Sequence, residues 1–386
     1  MLSFHLDNRL VFLSDVPFHG KLSRMLQLYP MEQTDPTQGY HFLDSQDLPD
    51  MERRIFPDHD LENDRCIPLS KWQSMVFPTC NNMHALDLQA SVVHRQQAYI
   101  LSNRGFWRTA WEYVEDTSLQ NDDHQSSLVL KTFKLDHSME DAFFEHTRVD
   151  ALAMERLTHS KHIVNVYSHC GMTILTEFAG QEVPLVADKL LPLERLKLAK
   201  QVAQGIAHIH AIGVVHNDLN FANVVFSKSK EVAMINDFNL STLRLKDKDT
   251  GKLCAFTSVF PNPMWRAPQE QRNEDGSFHP ILDEKIDIYG LGNILFRFAV
   301  GIGPWKQTGN PSLSASDLRN VESWKRRGQL PPVPKEIQDQ GDPSIDALLR
   351  IMKECYTFDP NNRPSAKQVV EMLQSAIGNI TSFQVL

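Results

Sequence analysis

The chain has 386 residues, 41% hydrophobic and 23% charged, with a formal net charge of −9. This is the composition of an ordinary folded globular protein, and the acidic balance gives no footing for general nucleic-acid binding or for an anionic membrane surface. No apolar run approaches the roughly 20 residues that span a bilayer. The opening MLSFHLDNRLVFLSDVPFHG lacks the basic start and continuous apolar stretch of a signal peptide. These two features point to the cytoplasm, with a secretory-pathway lumen as the alternative if the true start lies upstream.

In chain order, residues 1–64 are rich in Asp, Pro, His and Gln and read as a loosely structured extension. Residues 65–93 carry Cys66, Trp72, Phe77 and Cys80, enough to pack as an accessory segment on the smaller of two lobes. Cys66 and Cys80 bracket this segment: a disulfide between them is one reading, two unpaired thiols the other. Cys170, Cys254 and Cys355 are scattered and read as buried free thiols. No cysteine or histidine spacing suits zinc.

From residue 94 the pattern changes. AYILSNRGFWRTAWEYV and SSLVLKTFKL are β-branched and aromatic, with a polar break between them. Apolar residues at 143, 144, 149, 152, 154 and 157 keep a helical period. HIVNVYSHCG and MTILTEFAG are strand-like again. Beyond about residue 190 the runs are mostly helical. The fold class is therefore α+β, with a small β-rich lobe at 94–176, a joint at 177–180, a mainly helical lobe at 181–376 and a tail at 377–386.

The chemistry concentrates in His216-Asn217-Asp218-Leu219-Asn220-Phe221-Ala222-Asn223, with Asp237-Phe238-Asn239 beyond it. One Asp can accept a hydroxyl proton, while the Asn and the second Asp can hold Mg²⁺ on a nucleoside triphosphate. Order and spacing match H-x-D-x-x-x-x-N and then D-F-x, and the chain here resembles the eukaryotic protein kinases. Trp265-Arg266-Ala267-Pro268-Gln269-Glu270 resembles that family's R-A-P-E with a Gln inserted. Asp287 to Gly292 and Asp359 to Ser365 match its later D-x-x-x-x-G and D-P-x-x-R-P-S.

The resemblance implies a bilobal fold, the cofactors ATP and Mg²⁺, and transfer of the γ-phosphoryl group to Ser or Thr of a protein substrate. It also implies roles for individual residues. Asp218 is the base, and Asn223 and Asp237 are the metal ligands. Lys131, on a strand, meets the α/β-phosphates and pairs with Asp150, with Glu145 and Glu155 as alternative partners. Asn103, Gly105 and Arg108 stand in a degenerate glycine-rich loop, where Arg108 offers its cation to phosphate. Ala110, Val129 and Val225 line the nucleotide pocket. Thr176 controls access behind the adenine, which the backbone of Glu177 and Ala179 holds. His216 packs under Phe238, and Glu270 pairs with Arg363.

Several positions depart from the family. Asn217 replaces the Arg that reads an activation-segment phosphate, which leaves Thr250, Thr257 and Ser258 without a local receptor. Asn220 and Ala222 stand where family members carry a catalytic-loop Lys or Arg. Three readings are open: an active protein kinase, a nucleotide-binding scaffold without turnover, and a small-molecule or glycan kinase, against which the later motifs argue. A sequon at Asn379-Ile380-Thr381 hints at the secretory lumen. The substrate and oligomeric state are not written in the sequence.

Overall fold

The computed structural model describes residues 65–74, 98–102, 105, 107–114, 127–134, 137, 140–179, 189–227, 232–254, 256, 264–271, 282–306 and 315–383. Asn103, Cys80, Thr257 and Ser258 lie outside them.

The β-branched and aromatic runs of the small lobe form one five-stranded antiparallel sheet. Its strands are β2 (Ala98–Ser102), β3 (Arg108–Val114), β4 (Ser127–Phe133), β5 (Val166–Cys170) and β6 (Thr173–Glu177), in the order β2-β3-β4-β6-β5. The register sets Ala110 opposite Lys131 and Val129 opposite Thr176. Helix α1 (Asp141–Arg156) packs its continuous buried stretch from Thr147 to Met154 toward the sheet and the large lobe.

The large lobe begins with α2 (Pro192–Ala211). Pro at its first turn needs no amide partner, and the Glu194 carboxylate accepts the Leu191 N–H at 2.9 Å. Short strands β7 (Val214–Val215), β8 (Val224–Phe226) and β9 (Ala233–Ile235) come next, then β10 (Thr242–Leu243) and β11 (Leu245–Asp247). Helix α3 (Lys285–Val300) is buried almost all round and so runs through the centre of the lobe, ending at Gly301 with φ 84°. The remaining helices are α4 (Ala315–Arg326), α5 (Lys335–Gln338), α6 (Pro343–Cys355) and α7 (Ala366–Phe383); α6 packs on α3, and α7 packs on α2 and α6. Helix α7 continues through residue 376, so the expected break into a tail does not occur there, and the sequon lies on its last turns. At Gly290 an added Cβ would sit 2.7 Å from the Leu219 carbonyl oxygen, so only glycine lets α3 approach the loop above it this closely.

Residues 65–74 form a strap rather than a local loop. Strand β1 (Cys66–Pro68) adds antiparallel to β11, with Cys66 opposite Asp247. Lys246 bridges to Leu253, and the Cys254 N–H donates to Leu245 O at 2.9 Å, which returns Cys254 to Cys66. The bridge is therefore Cys66–Cys254, with Cα atoms 6.2 Å apart. This overturns two expectations, the Cys66–Cys80 pairing and a free Cys254. Nearness in sequence misleads because the strap pairs with a strand far down the chain. Cys170 is also disulfide-bonded rather than a free thiol. Cys355 is free and buried. The strap does not dock on the small lobe alone. Gln73 Nε2 donates to Arg244 O at 3.0 Å in the large lobe, while Arg148 of α1 donates to Gln73 O at 3.0 Å and Arg156 lies over the Trp72 ring.

Candidate active site

Helix α3 fixes the loop between β7 and β8. Asp287, fully buried in its first turn, accepts the N–H of His216 at 2.7 Å and of Asn217 at 2.9 Å, and its Oδ2 lies 2.9 Å from His210 Nε2. Burial pushes the Asp287 carboxyl up, but the contacts from His210 and His216 outweigh it and hold the group below the ordinary aspartate range. With its backbone anchored, the loop turns at Asn217, whose φ of 58° is one that asparagine tolerates. The Asn217 amide then donates to Leu240 O at 3.1 Å, tying this loop to the one after β9. Asn217 thus has a positional role in place of arginine's.

His216 joins the same two loops. Its Nδ1 accepts the Asp218 N–H at 3.3 Å, so Nε2 carries the proton and donates to Asn236 O at 3.1 Å. Its ring lies 4.8 Å from that of Phe238. Two asparagines further along the loop set Asp218. Asn220 Oδ1 caps the 3₁₀ turn Phe221–Asn223 by accepting from Ala222 N, and Asn223 Nδ2 donates to Asp218 Oδ2 at 3.1 Å. Burial raises the Asp218 carboxyl above the ordinary range, opposed by the charge of Arg266.

Asp237, at φ 68°, closes the group from the other side. Lys131 on β4 donates to Asn236 Oδ1 at 3.1 Å, with its ammonium 3.5 Å from Asp237 Oδ1 and 3.7 Å from Asp150 Oδ2. Asp150 also accepts the Phe238 N–H at 2.8 Å. Glu145 pairs instead with Arg148, and Glu155 is exposed. Burial pushes the Asp237 carboxyl up, and the charges of Lys131 and Arg108 overcome this and hold it low.

Two arginines sit where the sequence gives little warning. Arg108 does not stand open in the glycine-rich loop: its guanidinium bonds Asp150 Oδ2 and Asp237 Oδ1, each at 2.7 Å. Gly105 serves the turn before it, since a Cβ there would lie 2.8 Å from Arg108 O. Arg266 reaches back to the Asn217 carbonyl and to Asp218 Oδ1 at 3.4 Å, and so brings a cation beside the loop that lacks its own. Arg266 also binds Glu270 at 3.3 Å, while Arg363 donates to Gln269 Oε1 at 3.4 Å. The expected Glu270–Arg363 pair is thus replaced. In the 3₁₀ turn Pro268–Glu270 successive side chains point about 120° apart, so Gln269 faces Arg363 and Glu270 faces inward. Gln269 is a replacement in the R-A-P-E pattern, not an insertion.

At the lobe joint, Ala179 packs in a small cluster with Val164 and Met234, against which Val225 rests. Thr176 is buried, and Ala110 and Val129 are half-buried on the neighbouring strands. This gives an apolar floor and wall beside the backbone of Glu177 and Ala179, of the kind a flat heterocycle needs. Asn223 and Asp237 both offer oxygen donors, the chemistry that fits a hard divalent cation such as Mg²⁺. The arrangement brings together a carboxylate with a raised pKa at Asp218, the oxygen donors of Asn223 and Asp237, and the cations of Lys131, Arg108 and Arg266.

A family model described as protein kinase domain matches residues 117–373. A protein of Dictyostelium discoideum named probable serine/threonine-protein kinase is 26% identical over 257 residues, covering 64% of this chain and 25% of that protein. Mitogen-activated protein kinase kinase kinase 13-B of Xenopus laevis is 25% identical over 290 residues, 73% of this chain and 27% of its own length. Serine/threonine-protein kinase STY46 of Arabidopsis thaliana is 24% identical over 255 residues, 64% of this chain and 39% of its own. The chain thus spans between a quarter and two-fifths of the length of these relatives.

Proposed function

This chain belongs to the protein kinase family, and from that premise we propose that it transfers the γ-phosphoryl group of ATP to a serine or threonine hydroxyl of a protein substrate. The observation that carries the reading is the convergence of Lys131, Asp150, Asp218, Asn223 and Asp237 from four separate segments of the chain onto one cleft. Asp218 accepts the proton of the attacking hydroxyl, and its raised pKa brings it nearer the working pH. Lys131 meets the α/β-phosphates, and Asn223 and Asp237 hold Mg²⁺, which supplies neutralisation of charge on the phosphates when bound. Arg266 contributes the positive charge that Asn220 and Ala222 do not. The segment from Met264 to Gln271 is anchored by Lys325, which donates to Arg266 O at 2.8 Å, and by Asn293, which donates to Trp265 O at 2.7 Å. Such a docked segment suits a peptide better than a sugar or amino alcohol.

The test is phosphoryl transfer from labelled ATP to a mixed Ser/Thr peptide library, compared with Asp218→Ala. Turnover should fall by at least about 10³, with ATP-dependent thermal stabilisation retained. A nucleotide-binding scaffold is the second reading, favoured by the pairing of Asp237 with Arg108. Binding of ATP without any transfer by the unaltered chain would select it.

The disulfides at Cys66–Cys254 and Cys170 support an oxidising compartment, the secretory lumen over the cytoplasm. Among the described residues no helix is long and apolar enough to cross a membrane. Mass spectrometry of the non-reduced protein purified from its native cell tests this. Free thiols at Cys66 and Cys254 would return the chain to the cytoplasm.

A further inference from the structure

Arg108 opens β3, directly after Trp107, and its position is built rather than adventitious. Its guanidinium lies 4.5 Å over the Trp107 ring, and that ring packs at 5.0 Å against Phe143 of α1. The side chain is buried, and its two terminal nitrogens divide between the two lobes, Nη1 on Asp150 and Nη2 on Asp237. Lys131 stands 3.7 Å from the same Asp150 oxygen and 3.5 Å from the same Asp237 oxygen. Two carboxylates and two cations therefore balance, and Asp237 Oδ1 already has two positive neighbours.

A divalent ion bound at that oxygen becomes a third cation in a partly buried space, where the Asp237 side chain is 34% exposed and screening by water is reduced. One of the two resident cations then has to withdraw. Lys131 keeps its bond to Asn236 Oδ1 and its approach to Asp150. Arg108 can release Asp237 and retain Asp150 with its other nitrogen, which turns the freed Nη2 toward the cleft. We propose that Arg108 is a positioning residue that competes with the divalent cation for Asp237 Oδ1, holding this carboxylate in place and setting a threshold concentration of metal for loading the site. The inference rests on the reading of Asp237 as a metal ligand. It goes beyond that reading by giving the chain a built-in occupant for the metal position.

The test measures binding, not turnover. Mn²⁺ is titrated into the full chain with a non-hydrolysable ATP analogue, and free Mn²⁺ is read by electron paramagnetic resonance. Arg108→Gln should tighten the apparent Mn²⁺ Kd by about tenfold, within the 5- to 150-fold range typical of coupled sites. Arg108→Lys, which keeps a charge but loses the fork, should tighten it less. A second measurement uses the unaltered protein and covers the case of a variant that does not fold. Phenylglyoxal labelling of Arg108, read by mass spectrometry, should rise when Mn²⁺ is added without nucleotide. An unchanged or weaker Kd in Arg108→Gln, or labelling indifferent to Mn²⁺, overturns the proposal. If Asp237→Asn leaves the Mn²⁺ titration of the parent chain unchanged, the metal reading of Asp237 fails and this inference fails with it. Tightening by Arg108→Gln in a chain that transfers no phosphate removes only the catalytic reading.

Discussion

Arg266 and Asn217 show how function can move between residues without leaving the site. The loop from His216 to Asn223 has no Lys or Arg of its own, and a guanidinium reaches it from 48 positions along the chain, where Arg266 meets Asp218 Oδ1 at 3.4 Å. Of the charges around Asp218, that of Arg266 opposes the effect of burial most strongly. Its removal should leave desolvation less opposed and push the Asp218 carboxyl higher still. A base with a raised pKa is lost to protonation at a higher pH, so the acid limb of kcat/KM should lie above the ordinary aspartate range in the unaltered chain. In Arg266→Gln the limb should shift further up, with kcat falling on the order of 10². A pH–rate profile separates the two roles open to Arg266. A fall in rate with an unmoved limb would mean that it acts only by holding Asn217 and Glu270 in place. Glu270 is itself buried with its carboxyl raised, so this variant should also lose about 3–5 kcal/mol of stability, measured by denaturant unfolding.

The strap from Arg65 to Ser74 and the segment beyond Asp237 form one element although they are far apart in sequence. The contacts that join them include the β1–β11 ladder, the Cys66–Cys254 bridge, the Gln73 hydrogen bond to Arg244 O, and Arg65 with Asp247 at 3.1 Å. The exposed Arg65 pair contributes little by itself. The bridge spans 188 positions, and a closure of that length is worth about 5 kcal/mol in the chain-entropy account. Cys66→Ser should lower stability by an amount of that order, and hydrogen exchange should accelerate at the amides of residues 245–254. The same geometry bears on phosphorylation. Thr250 spends its hydroxyl on Asp247 Oδ1 at 3.0 Å, and a covalent tether already holds the segment in place. Phosphatase treatment should therefore leave the rate of the purified chain unchanged. A collapse of activity would show that a phosphate, not the strap, orders this segment.

Across the whole molecule, what could be read from the sequence was what lies close together in it. The loop from His216 to Asn223 is contiguous, its anchor Asp287 opens a helix with a recognisable pattern, and Lys131 stands in a strand-like run between polar breaks; these sufficed for two lobes and for most of the candidate cleft. The Cys66–Cys254 bridge, the Arg108 fork across 42 and 129 positions, and the exchange of Gln269 for Glu270 before Arg363 depend on register and on turn geometry, which residue patterns do not encode. Those long-range contacts also couple the lobes. Gln73 is fully buried, and through it the strap touches Arg244 on one side and Arg148 of α1 on the other. Helix α1 carries Asp150, which positions Arg108 and Lys131. Loosening the strap should let α1 drift and weaken the hold on phosphates, although no cysteine lies among the residues assigned to the nucleotide. A reductant should therefore weaken ATP binding by about 5- to 10-fold, a coupling of roughly 1 kcal/mol, read by calorimetry on the full chain. The Cys66→Ser variant should start at the weakened affinity and respond no further. If that variant still loses affinity on reduction, the responsible bond is the one at Cys170, on strand β5 of the small lobe, and the strap stabilises the fold without controlling the cleft.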